Sequence, residues 1–132
     1  MFVDTSAVVA ILLGEDDQPG FSSTIENAER RLISPAVRLE TCIVVSTRRD
    51  VTPIRAQDYF EDLAAEIRFT EVKIDDRIGR LAVECFARYG KGRHPAQLNF
   101  GDCLSYACAK AYDARLLFKG DDFAKTDINA GR

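Results

Sequence analysis

Short apolar runs alternate with longer stretches of helical periodicity along this 132-residue chain, and that alternation narrows the fold more than any other feature. Phe2-Val3, Arg31-Leu32-Ile33-Ser34, Glu71-Val72-Lys73-Ile74 and Arg115-Leu116-Leu117-Phe118 each suit a strand and are too short for a helix. Between them the spacing predicts helices over 5–13, 21–30, 36–49, 53–68, 75–89 and 103–112, with a last short element near Ile128. Strand, helix pair, strand, helix pair, strand, helix pair, strand is the order of an α/β protein. It predicts a three-layer sandwich in which a central parallel sheet of four to five strands is flanked by helices. No repeat, linker or low-complexity segment divides the chain, so one domain over 1–132 is expected. In such sheets, sites form in the crevice outside the carboxyl ends of the strands.

The acidic residues fall at those ends. Asp4 follows the first strand and leads into Thr5, Ser6 and an apolar helix; its plainest alternative is the N-cap of that helix. Glu40 falls in the expected apolar stripe of the 36–49 helix (Ala36, Ile43, Val44, Thr47). A buried ionised carboxylate costs several kcal/mol unless something pairs with it. Arg38 points off that stripe and Arg48 is two turns away, which leaves a salt bridge, a metal or a shared carboxylate site open. Asp102 lies in the first turn of a helix capped by Asn99, where the macrodipole alone accounts for a negative charge. Asp121 and Asp122 follow the last strand, as residues of an ordinary polar turn would.

No one of these acids is specific by itself. Together they predict a carboxylate cluster in one crevice, which needs cations to persist. Carboxylate oxygens suit hard ions such as Mg²⁺ and Mn²⁺, and two such ions can drive phosphodiester hydrolysis. Arg88, Lys91, Arg93 and His94 precede Asp102, and Lys119 precedes Asp121. They are candidates for a basic rim against phosphates, or for a merely solvated loop.

Overall charge excludes a simpler route to nucleic acid. A net charge of -3 and a pI near 5.2 cannot hold a polyanion by bulk attraction. Cys42, Cys85, Cys103 and Cys108 lack CxxC spacing and sit in apolar helical patterns, so buried free thiols are expected. One histidine argues against the usual zinc chemistry. With no membrane-length apolar run and no secretory leader visible, the cytoplasm is the expected compartment.

Four stretches carry a resemblance that spans essentially the whole chain: FVDTSAVVAILLGE, SPAVRLETCIVV, YGKGRHPAQLNFGDCLSYACAKA and LLFKGDDFAKTDI. They resemble the PIN-domain ribonucleases and, more narrowly, the VapC toxins of bacterial toxin–antitoxin pairs. The resemblance implies a Mg²⁺- or Mn²⁺-dependent endoribonuclease that leaves 5′-phosphate and 3′-hydroxyl ends, a cognate VapB antitoxin and a homodimer. It implies that Asp4, Asp102 and Glu40 are metal ligands and that Thr5 or Ser6 steadies the site. The fourth acid would be Asp122, with Asp121 beside it, and Asn99 would orient the turn. Two rivals remain: a catalytically silent PIN-like binding module, and a phospho-acceptor receiver domain. Lys119 and Asp75-Asp76 superficially suit a receiver, but that design wants paired acids after the first strand, where Thr5 follows Asp4.

Overall fold

The computed structural model describes residues 1–131. Four parallel strands form the sheet: β1 (Phe2–Val3), β2 (Leu32–Ile33), β3 (Thr70–Glu71) and β4 (Leu116–Leu117), in the order β3-β2-β1-β4. Phe2 pairs with Leu32 on one side and Leu116 on the other, which makes β1 and β2 the central strands. Phe2, Val3, Leu32, Ile33, Leu116 and Leu117 are buried, as expected of parallel strands covered on both faces.

Among the described residues six α-helices cover the sheet: α1 (Thr5–Leu12), α2 (Gln18–Glu26), α3 (Pro35–Arg49), α4 (Pro53–Ile67), α5 (Asp76–Tyr89) and α6 (Phe100–Ala111). A 3-10 turn, Phe123–Lys125, follows β4. Most helices start where the sequence offers a cap. Asp4, Ser34, Thr52, Asp75 and Asn99 each accept a first-turn backbone N–H. Pro35 and Pro53 fill first helical positions, where a missing N–H costs nothing. Gly14, at φ +64°, turns the chain out of α1.

Several expectations shift. The third strand is Thr70–Glu71 rather than 71–74; it is the sheet edge and exposed, with Val72 just beyond it buried. It is pinned there by Thr70 N–H to the Arg31 carbonyl (2.8 Å) and Val72 N–H to the Ile33 carbonyl (2.7 Å). The buried stripe of α3 is Val37, Thr41, Cys42 and Val45; Ile43 and Thr47 face outward, and Glu40 flanks the stripe, half-buried. Helix α2 begins at Gln18 and α6 at Phe100; the last helical element is the 3-10 turn, and near Ile128 the chain makes a single parallel bridge, Ala130 to Leu116. All four cysteines are free and buried, and burial pushes each thiol up.

Candidate metal centre

Asp4 is held in place by the sheet. Its N–H donates to the Leu117 carbonyl (3.0 Å), fixing it at the carboxyl edge between β1 and β4. It is also the N-cap of α1: Oδ2 accepts from the Ser6 N–H (3.0 Å) and the Ser6 hydroxyl (2.7 Å). Ser6 Oγ in turn accepts the Lys119 N–H (2.9 Å), tying Asp4 to the loop that carries Asp121 and Asp122. The capping role leaves room for a second one, because only one carboxylate oxygen is used. Asp4 as a whole is only 4% exposed.

Glu40 reaches the same place from α3. Its Oε1 accepts the Thr5 hydroxyl at 2.9 Å. The salt bridge weighed from sequence does not form. Arg38 pairs with Glu61 and lies over the Phe60 ring, and Arg48 sits 3.7 Å from Glu15. Burial raises the Glu40 carboxyl above its ordinary range; the Thr5 hydrogen bond opposes this and the Asp4 charge adds to it.

Asp102 completes the group. It forms a capping box with Asn99: Asn99 N–H donates to Asp102 Oδ2 (3.0 Å) and Asp102 N–H to Asn99 Oδ1 (2.9 Å). Its carboxyl is pushed up to about 6, first by burial, then by the charges of Asp4, Glu40 and Asp122, against the Asn99 hydrogen bond. Among the described residues neither Glu40 nor Asp102 forms a salt bridge. Asp122 adds its charge to the group from the loop after β4; both it and Asp121 are exposed on that loop.

Asp4, Glu40 and Asp102 share one design: the protein binds one carboxylate oxygen and leaves the other without a hydrogen bond among the described residues. That is a suitable donor set for a hard divalent ion. The acids stand within electrostatic reach of one another, yet among the described residues no three of them close into a ready-made cage.

The structure disperses the basic candidates. Lys119 is pinned to Glu15 and to Asp17 Oδ1 (3.3 Å). Arg88 donates to the Tyr89 hydroxyl (3.0 Å) and stands 3.9 Å from Asp127. His94 Nδ1 accepts the Ala96 N–H (3.0 Å), with its ring edge-on to Tyr89. Arg93 lies over the Phe86 ring, and Lys91 is exposed. Sequence reasoning passed over Gly101, whose Cα abuts the Glu40 carboxylate. The available signal was a glycine inside the first turn of a helix.

A PIN-domain family model matches residues 1–129. The chain belongs to the PIN-domain family. Within it the similarity is to VapC ribonucleases. VapC ribonuclease Mb0625 of Mycobacterium bovis is 44% identical over 129 residues, 97% of this chain and 95% of the relative. Ribonuclease VapC of Mycolicibacterium smegmatis is 42% identical over 131 residues, 98% of each chain. The sarcin–ricin loop cleaving toxin VapC20 of Mycobacterium tuberculosis shares the fold at TM-score 0.73 and 19% identity, over 96% of this chain and 95% of that one. The PIN sheet accounts for the placement of the acids: Asp4 caps the helix after β1, Glu40 comes from the helix after β2, and Asp102 opens the helix before β4.

Proposed function

We propose that this PIN protein is a metal-dependent endoribonuclease, the toxin of a VapBC pair, built as one domain over residues 1–132. The observation that carries the reading is the sheltered acidic group itself. Glu40 and Asp102 are raised first by burial and then by neighbouring acids, and among the described residues neither forms a salt bridge. A group of that kind persists where a divalent ion neutralises it.

Asp4, Glu40 and Asp102 would hold Mg²⁺ or Mn²⁺, with Asp122 as the fourth acid. When bound, the ion supplies Lewis acidity for activating water and stabilising the departing oxygen of a phosphodiester. The chain does the positioning. Thr5 fixes Glu40, Ser6 fixes Asp4, and the Asn99 capping box fixes Asp102. Ionised forms of Glu40 and Asp102 are required, and both lie upshifted, so activity rises with pH across the acidic range. Arg88, Lys91, Arg93, His94 and Lys119 are the candidates to meet backbone phosphates of single-stranded or looped RNA.

The partner implied by the relatives is a VapB-type antitoxin. A Klebsiella pneumoniae toxin–antitoxin complex and a DNA-bound VapBC2 of Rickettsia felis share this fold at TM-scores of 0.68 and 0.70, each at 16% identity. A homodimer and a cytoplasmic location complete the reading. Among the described residues no helix is long and apolar enough to cross a membrane. Light scattering on the eluting protein checks the dimer.

The deciding experiment incubates total RNA with the protein in Mn²⁺ or in EDTA, beside Asp4→Asn. Discrete cuts in Mn²⁺, lost in EDTA and in a folded Asp4→Asn, are expected. Equal cutting by Asp4→Asn would refute the assignment, and no cutting by the parent would favour the silent binding module.

A further inference from the structure

We propose that Gly101 is a positioning residue, whose missing side chain is the seat that fixes the Glu40 carboxylate beside Asp102. An ideal Cβ built on Gly101 would lie 2.5 Å from Glu40 Oε1 and closer still to Cδ and Oε2. Real Cβ atoms do not approach heavy atoms so closely, so any side chain here evicts the carboxylate. The three nearest atoms all belong to Glu40.

Two ordinary reasons for a glycine are absent. Gly101 is outside the left-handed region that requires one; the glycines with positive φ are Gly14, Gly92 and Gly120. No other chain segment presses closer on the Cβ position than Glu40 does. What the glycine provides is room for one carboxylate.

The consequence reaches the ligand set. Glu40 is gripped on two sides, by the Thr5 hydroxyl on Oε1 and by the bare Gly101 face. Asp102, the next residue along α6, feels the Glu40 charge, so displacing Glu40 from its seat changes the spacing between the two carboxylates. Because Glu40 is the end of a flexible side chain, Gly101→Ala displaces it without dismantling the fold. The inference that this matters for catalysis rests on the ribonuclease reading above.

The test is Mn²⁺ binding to the metal-free protein, followed by electron paramagnetic resonance of the free ion, on the parent, Gly101→Ala, Glu40→Ala and the double variant. Loss of a supporting contact to a ligand typically weakens metal affinity about 10–100-fold. Gly101→Ala should lose at least about tenfold, and in the Glu40→Ala background it should cause no further loss. Glu40→Asp, one methylene shorter, should restore part of the affinity lost in Gly101→Ala. Parent-like binding by Gly101→Ala, or equal losses in both backgrounds, overturns the proposal. If Gly101→Ala fails to fold, folding of the double variant supports the seat, and misfolding of both overturns it. A parent that takes up no Mn²⁺ refutes the metal-centre reading, and the Gly101 role with it.

Discussion

At the scale of single residues, the site couples stability to pH through Asp102. Its carboxyl rises from an ordinary 3.8 to about 6, chiefly by burial. The folded protein therefore holds that proton more tightly than the unfolded chain does. The resulting stability is complete below about pH 3.8 and is lost as pH climbs through 6. The side chain is partly solvated, so the loss is on the order of 1–2 kcal/mol rather than the full value of the shift. Asp102→Asn keeps an oxygen for the Asn99 N–H and removes the charge. In EDTA at pH 7 it should melt several degrees above the parent, while near pH 4 the two should coincide. The same variant should not cleave RNA. A parent whose melting temperature is flat between pH 4 and 7 would show that Asp102 is not upshifted.

At the scale of elements, caps and strands carried most of what the sequence made legible. Asp75 and Asn99 mark helix starts by their chemistry, and both cap as read. What was not legible came from tertiary placement. The 71–74 run alternates correctly, yet an edge strand needs only two backbone pairs, so the register moved back to Thr70–Glu71. In α3, Ile43 is apolar and faces outward because α4, α1 and α6 take up the other faces of that helix, something periodicity alone does not reveal. The α6 start is where element and site meet, since Asn99 caps the turn bearing Asp102. Asn99→Ala should cost about 1 kcal/mol of stability. The frayed first turn should lower RNA cleavage about 10–100-fold, far more than the stability loss explains. Thermal melts beside initial rates separate the two; an activity loss no larger than the loss of folded protein would assign Asn99 to folding alone.

At the scale of the whole molecule, the topology brings acids from positions 4, 40, 102 and 122 within electrostatic reach at the carboxyl ends of the central strands, although 118 residue steps separate the first from the last (122 − 4). The acids and their convergence were legible in sequence, but the bonds that hold them were not: the Thr5–Glu40 and Ser6–Lys119 bonds join segments 35 and 113 residues apart. A molecule assembled this way carries unrelieved repulsion in its metal-free form, and a divalent ion that binds only the folded state must stabilise it. Ligand at 100 times its Kd contributes about 2.7 kcal/mol, a rise of roughly 5–10 °C in melting temperature for a domain of this size. Millimolar Mn²⁺ should therefore raise the melting temperature of the parent by that order relative to EDTA, with a steeper gain at pH 7 than at pH 5, where Asp102 is largely protonated. Asp4→Asn should lose most of the rise. Scanning calorimetry of both proteins in the two buffers measures it directly. Indistinguishable melts of the parent with and without Mn²⁺ would mean that the four acids do not share an ion.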